Sequence, residues 1–135
     1  MATNIKLSIL TPQKTFYVGE VSEISTRTVE GGLGILANHS DMVAFLQPTE
    51  TKFIQADGTE KKAFTSTGVL NVGASEVTFM CDASEWPEEI DVNRAEKAKE
   101  RAEKRLRDAK GDNIDVKRAE LALSRALERM KVKGR

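Results

Sequence analysis

Hydrophobic and polar positions alternate through the first eighty-odd residues and then change period. Ile5, Leu7 and Ile9 alternate with Lys6 and Ser8, the two-residue repeat of a strand with one buried face. Thr11-Pro12 ends that run. Residues 16–18 and 21–29 read as the next strands, Gly31-Gly32 turns the chain, and residues 33–36 are short and apolar. Residues 42–46, 49–55, 63–65, 69–72 and 77–80 complete the set. Ala56-Asp57-Gly58-Thr59 is the strongest hairpin signal, since Asp-Gly readily adopts the turn that matches strand twist. Short strands with turns every eight to twelve residues predict a sandwich or barrel.

Trp86-Pro87 marks the boundary, because proline disfavours helix at the residue before it. Beyond it the chain says the same thing twice. Residues 90–105 (IDVNRAEKAKERAEKR) and 114–129 (IDVKRAELALSRALER) are identical at ten of sixteen positions, offset by 24. Only two copies, joined by Gly111-Asp112-Asn113, suit a helix folded back on a helix rather than a solenoid. Asp91 and Asp115 stand where an N-cap carboxylate would accept first-turn N–H groups, with Ile90 and Ile114 ahead of them as apolar staples. The apolar positions step by three or four: Val92, Ala95, Ala98, Ala102, Leu106 and Ala109, then Val116, Ala119, Ala122, Leu123, Ala126, Leu127 and Met130. An alanine-rich seam lets the helices approach closely while burying little, so the hairpin is expected to be loosely held. The expected architecture is therefore α+β: a β-sandwich or barrel over residues 1–87, then an antiparallel two-helix hairpin over 88–135.

Charge adds a division that the net value of zero conceals. Residues 91–135 hold 15 Lys/Arg against 9 Asp/Glu, and residues 1–90 hold 6 against 12, so the halves carry +6 and −6. Arg94, Arg101 and Arg105 recur as Arg118, Arg125 and Arg129. Folding about the turn sets Arg94 opposite Arg129 and Arg101 near Arg125, and fork-shaped guanidiniums gathered together suit phosphate. The residues alone also allow a solvated face in which Glu96, Glu100 and Glu103 pair with neighbouring bases. That reading is the cheaper one, because exposed charge costs little.

Other chemistry finds little support. Gly32-Leu33-Gly34 lacks the spacing of a dinucleotide fingerprint, and no phosphate-cradling Lys motif is present. The lone His39 has no companion ligands for zinc. Cys81 follows an apolar strand and reads as a small core residue, although a Cys81–His39 nucleophile pair would make the chain a small all-β enzyme. A single cysteine gives no internal disulfide framework and fits a reducing compartment. No apolar run is long enough to span a bilayer, and no signal peptide is evident. A nucleic-acid module would use the basic hairpin, but the acidic half opposes a polyanion and Glu interrupts the basic face throughout, so no nucleic-acid partner is expected.

The strand pattern, a Gly34-Ile35-Leu36-Ala37-Asn38-His39 loop, and a hairpin opening with Ile90-Asp91-Val92-Asn93-Arg94-Ala95 together resemble the epsilon subunit of bacterial F-type ATP synthase. Ala37 and Asp41 stand where that family commonly has prolines. The resemblance implies a non-catalytic central-stalk subunit and a regulatory ATP, whose signature is Ile/Leu-Asp-x-x-Arg-Ala. Residues 90–95 satisfy it; residues 114–119 do too, although in the family it belongs to the first helix. The implied constellation is Glu85, Ile90, Asp91, Arg94, Ala95 and Arg101, with Arg125 and Arg129 from the second helix. Magnesium beside the ATP is not required by the sequence. Implied partners are the gamma subunit, the membrane rotor ring of c subunits and, with the hairpin extended, the alpha/beta catalytic hexamer. The implied location is peripheral, on the cytoplasmic face of the bacterial membrane.

Overall fold

In a computed structural model, described over residues 4–108 and 113–134, the alternating positions become a nine-stranded sheet folded on itself, followed by two helices. The strands are β1 (Ile5–Leu10), β2 (Thr15–Thr28), β3 (Gly31–Leu36), β4 (Met42–Leu46), β5 (Thr49–Gln55), β6 (Glu60–Thr65), β7 (Gly68–Val72), β8 (Glu76–Cys81) and β9 (Ser84–Glu85). Their order is β1-β8-β7-β4-β2-β5-β6-β9, with β3 on β2 and a further β1–β2 pairing. The alternation at Ile5, Leu7 and Ile9 does what its period implies: all three are fully buried.

Two features differ from the expectation. The segments read as separate strands at 16–18 and 21–29 form one strand, β2, of 14 residues. Its first half pairs with β1 (Ile5 opposite Val21) and its second half with β3, β5 and β4, so one strand serves both layers. A slip in the β2–β5 register between Val21 and Glu23 marks the change of partner, where an irregularity increases strand twist. The other difference is that β1 pairs parallel to β8, a union across most of the domain that no hairpin signal foretells.

The core between the layers holds Ile5, Leu7, Ile9, Val21, Ile24, Ile35, Phe53, Leu70, Val77 and Phe79. A polar thread crosses it: the Thr51 hydroxyl meets those of Thr26 at 2.8 Å and Thr65 at 2.7 Å, so these buried groups satisfy one another. Gly58 takes φ +90° in the predicted β5–β6 turn, and the Asp57 carboxylate accepts the Thr59 N–H there at 2.9 Å. Gly68 is demanded by a close approach: a Cβ would lie 2.0 Å from the Met80 carbonyl oxygen of β8.

Leaving the sheet, Trp86 stacks on Phe16 with centroids 4.4 Å apart and is followed by one 3₁₀ turn, Pro87–Glu89. Helices α1 (Val92–Asp108) and α2 (Asn113–Lys133) pack on each other, and α2 also rests on β5 and β6. A second buried cluster of Phe64, Ile90 and Val132 joins the end of α2 to the sheet. Among the described residues, no helix is long and apolar enough to cross a membrane.

Candidate functional site

Helix α1 begins as its cap chemistry dictates. Asp91 Oδ1 accepts the Arg94 N–H at 3.1 Å, and the Asp91 carbonyl accepts that of Ala95 at 3.0 Å. The hairpin turn proposed at 111–113 falls largely outside the described residues, as do Ala109 and the side chain of Ile114. Because α2 starts at Asn113, Asp115 lies inside the first turn rather than at the cap position. The seam is narrow. Ala95, Ala102, Ala119 and Ala126 are buried, while Leu127, expected in the seam, is 45% exposed. It follows Ala126 by about 100° around the helix and cannot share so narrow a contact line.

Alanine on both sides leaves a cavity of about 680 Å³ along the hairpin. Ala98 and Ala122 line it with the buried Ala95, Ala102 and Ala126; Arg94, Arg101 and Arg105 border it on α1, and Arg125 and Arg129 on α2. Glu85, Glu89 and Asp91 also border it near the start of α1, beside Arg94 and Arg129. Arg94, Arg101 and Arg105 recur at intervals of seven and four, which puts them on one face of the helix.

Of the residues proposed from sequence, Glu85, Asp91, Arg94, Ala95, Arg101, Arg125 and Arg129 all line this groove. Ile90 does not: it is turned into the cluster with Phe64 and Val132, 3% exposed, because the chain must bury that side chain where α2 meets the sheet. Arg129 already has company. Its Nε donates to Glu85 Oε1 at 2.6 Å, and its guanidinium lies over the Phe64 ring at 4.5 Å. Among the described residues, Arg94, Arg101, Arg105 and Arg125 make no ion pair. Sequence reasoning left two charged lining residues, Glu89 and Arg105, out of the site. The signal for Arg105 was its place four residues after Arg101; for Glu89, whose carboxylate accepts the Trp86 N–H at 2.9 Å, there was none.

The alternative enzyme site does not assemble. Cys81 is buried in the core, and that burial pushes its thiol up to about 11. A thiol so held is a poor nucleophile. The His39 Nδ1 lies 2.7 Å from the neighbouring Ser40 carbonyl oxygen, in a loop that leaves the sheet after β3. Among the described residues, no group of three or more His, Cys, Asp and Glu side chains could hold a metal.

The chain is thus a folded sheet bearing a pair of packed helices with an arginine-lined groove along them. Residues 4–87 match the family described as ATP synthase, Delta/Epsilon chain, beta-sandwich domain, and residues 88–134 match its long alpha-helix domain. The chain belongs to the ATP synthase delta/epsilon chain family. An ATP synthase epsilon chain of Clostridium acetobutylicum is 76% identical over 107 residues, covering 79% of this chain and 80% of that one. One from Clostridium novyi is 55% identical over 106 residues, covering 78% and 81%. In fold, the chain is similar to one in the cryo-EM structure of the Euglena gracilis mitochondrial ATP synthase, OSCP/F1/c-ring. The TM-score there is 0.84, at 24% identity, over 97% of this chain and 82% of that one. A chain of the Tetrahymena thermophila mitochondrial central stalk/c-ring structure gives 0.59 at 14% identity, over 96% of each.

Proposed function

We propose that this chain is a non-catalytic rotor subunit of the central stalk of an F-type ATP synthase, and that its hairpin senses ATP and restrains ATP hydrolysis. The observation that carries the reading is the groove: Arg94, Arg101, Arg105 and Arg125, without an ion-pair partner among the described residues, line one cavity together with the Glu85-paired Arg129. Like charges so gathered repel, and a polyphosphate relieves them with strong charge-assisted hydrogen bonds. Arg94, Arg101, Arg125 and Arg129 would hold phosphates, with Asp91 and Ala95 near the sugar and base; magnesium is not required. ATP bound between the helices would favour the folded hairpin by mass action.

The partners follow from surface chemistry and family. Phe45, Val69 and Met80 stand opposite one another across β4, β7 and β8, and Phe45 is 65% exposed. With Val43 they form an apolar sheet surface of the kind that a protein partner covers, here the gamma subunit. The same domain would rest on the c-subunit ring, peripheral to the membrane on its cytoplasmic face. The extended hairpin, carrying +6 with its flanks, would meet the alpha/beta hexamer.

Calorimetric titration of the full chain with ATP tests the site. Arg125→Ala and Arg129→Ala should each weaken binding by roughly tenfold or more, whereas Arg118→Ala, which does not line the groove, should change it little. Equal losses in all three would mean a generally basic surface and would remove the nucleotide site.

A further inference from the structure

The apolar sheet face around Phe45 runs into a cavity of about 540 Å³, placed where β4 and β8 begin and β7 ends. Asp41, Val43, Asn71, Glu76 and Thr78 border it. Val43 belongs to both surfaces: it stands opposite Asn71, and Asn71 opposite Thr78, one row along from Phe45, Val69 and Met80. Strand alternation puts Glu76 on the same face as Thr78. The Gly73 N–H donates to the Glu76 carbonyl at 2.9 Å, and a Cβ on Gly73 would lie 3.7 Å from Asp41 Oδ1, so the Asp41 carboxylate reaches the turn that leads into Glu76. Both acidic residues are exposed, and neither makes an ion pair among the described residues; nor does Lys6, which stands opposite Glu76 in the β1–β8 register.

From this we infer that the Asp41–Glu76 cavity is an anchoring pocket for a Lys or Arg side chain of the protein that covers the apolar sheet face. The inference rests on the reading of that face as the docking surface for the gamma subunit. Carboxylates beside an apolar row suit a cation carried on an aliphatic stem: the methylenes lie along Val43 while the charged head meets Asp41 and Glu76. A metal ion is poorly served, since among the described residues no group of three His, Cys, Asp and Glu side chains is available to hold one. The −6 carried by residues 1–90 favours a cationic partner as well. The apolar row supplies affinity by burial, and the two carboxylates fix the register and select the partner. Asp41 stands where the family commonly has proline, so this half of the acidic rim is a feature of this chain rather than of the family pattern.

The experiment is the affinity of the full chain for its own gamma subunit at low and high salt, for the wild type, Asp41→Asn, Glu76→Gln, the double variant, Phe45→Ala and Glu23→Gln. Asn and Gln keep the shape of exposed side chains, so the fold survives the change. At low salt each single charge removal should weaken binding about threefold and the double variant about tenfold. Wild-type affinity should fall as salt rises, whereas that of the double variant should change little. Glu23→Gln, on β2 beside Leu36 and Ile54 in the other layer, should match the wild type. A double variant with wild-type affinity and salt dependence, or an equal loss in Glu23→Gln, would overturn the cationic anchor; a loss in Phe45→Ala alongside it would leave the docking face standing. Unchanged binding in both Phe45→Ala and the double variant, or a wild type that does not bind gamma, would overturn both readings.

Discussion

At the scale of residues, the consequential choices are small side chains and lone charges. Alanine at 95, 98, 102, 122 and 126 leaves a groove along the two helices where leucine would have filled the space. Arg129 is shared between an ion pair with Glu85 and the face of Phe64, which ties the sheet to the groove through one guanidinium. Cys81 allows a prediction about pH. Its thiol is pushed from an ordinary value near 9 to about 11, so between those limits the unfolded chain gives up a proton that the folded chain keeps. Its contribution to stability is complete below pH 9 and is lost as pH rises toward 11, about 2–3 kcal/mol at most. Denaturant titrations from pH 8 to 11 should show that decline, and Cys81→Val should flatten most of it. An unchanged slope in the variant would place the effect elsewhere, Tyr17 being the next candidate, since burial also raises its phenol.

Elements are held together unequally. The strands of the sheet share long ladders and a common core, whereas the hairpin meets the sheet chiefly through α2 on β5 and β6 and through the Phe64–Ile90–Val132 cluster. Val132 is fully buried although it lies within three residues of the last described position, so it acts as the plug that closes α2 onto the sheet. Lys133 adds a hydrogen bond from its Nζ to the Pro87 carbonyl at 3.0 Å. Val132→Ala removes two buried methyl-sized groups and should weaken docking by roughly 1–2 kcal/mol. Amide exchange across α2 should speed up while β1, β2 and β8 remain protected. Should the strands loosen equally, hairpin and sheet form one cooperative unit rather than a sheet with a separable appendage.

For the whole molecule, the opposed charges of +6 and −6 favour the folded-back hairpin at low salt and weaken that preference as ionic strength rises. The sheet ends at Glu85 and the first helix begins at Val92, with Trp86 anchored on Phe16 between them. A chain ending at residue 87 should therefore fold by itself, keep the apolar surface around Phe45 exposed and still capture a gamma subunit. On the proposed function it would lose only nucleotide binding and restraint of hydrolysis. An insoluble fragment, or one that fails to capture gamma, would count against two separable modules.

What was legible in the sequence was whatever repeats over short distances. The period of two at Ile5, Leu7 and Ile9 specified a strand. Asp-Gly at 57–58 specified a turn, and the repeated Ile-Asp-Val with its alanine steps specified two helices with a cap at Asp91. Each of these depends on neighbours a few residues away, which is what periodicity can express. Tertiary structure alone decided the rest: that β2 would serve two layers, that β1 would run parallel to β8, and that Ile90 would face Phe64 and Val132 instead of the groove. It also decided that Arg129 would find Glu85, 44 residues earlier, and that Arg105 would share a cavity with Arg125 of the other helix. Those outcomes are contacts between segments remote in the chain, chosen by packing volume and by the balance of buried charge, and no local pattern records them.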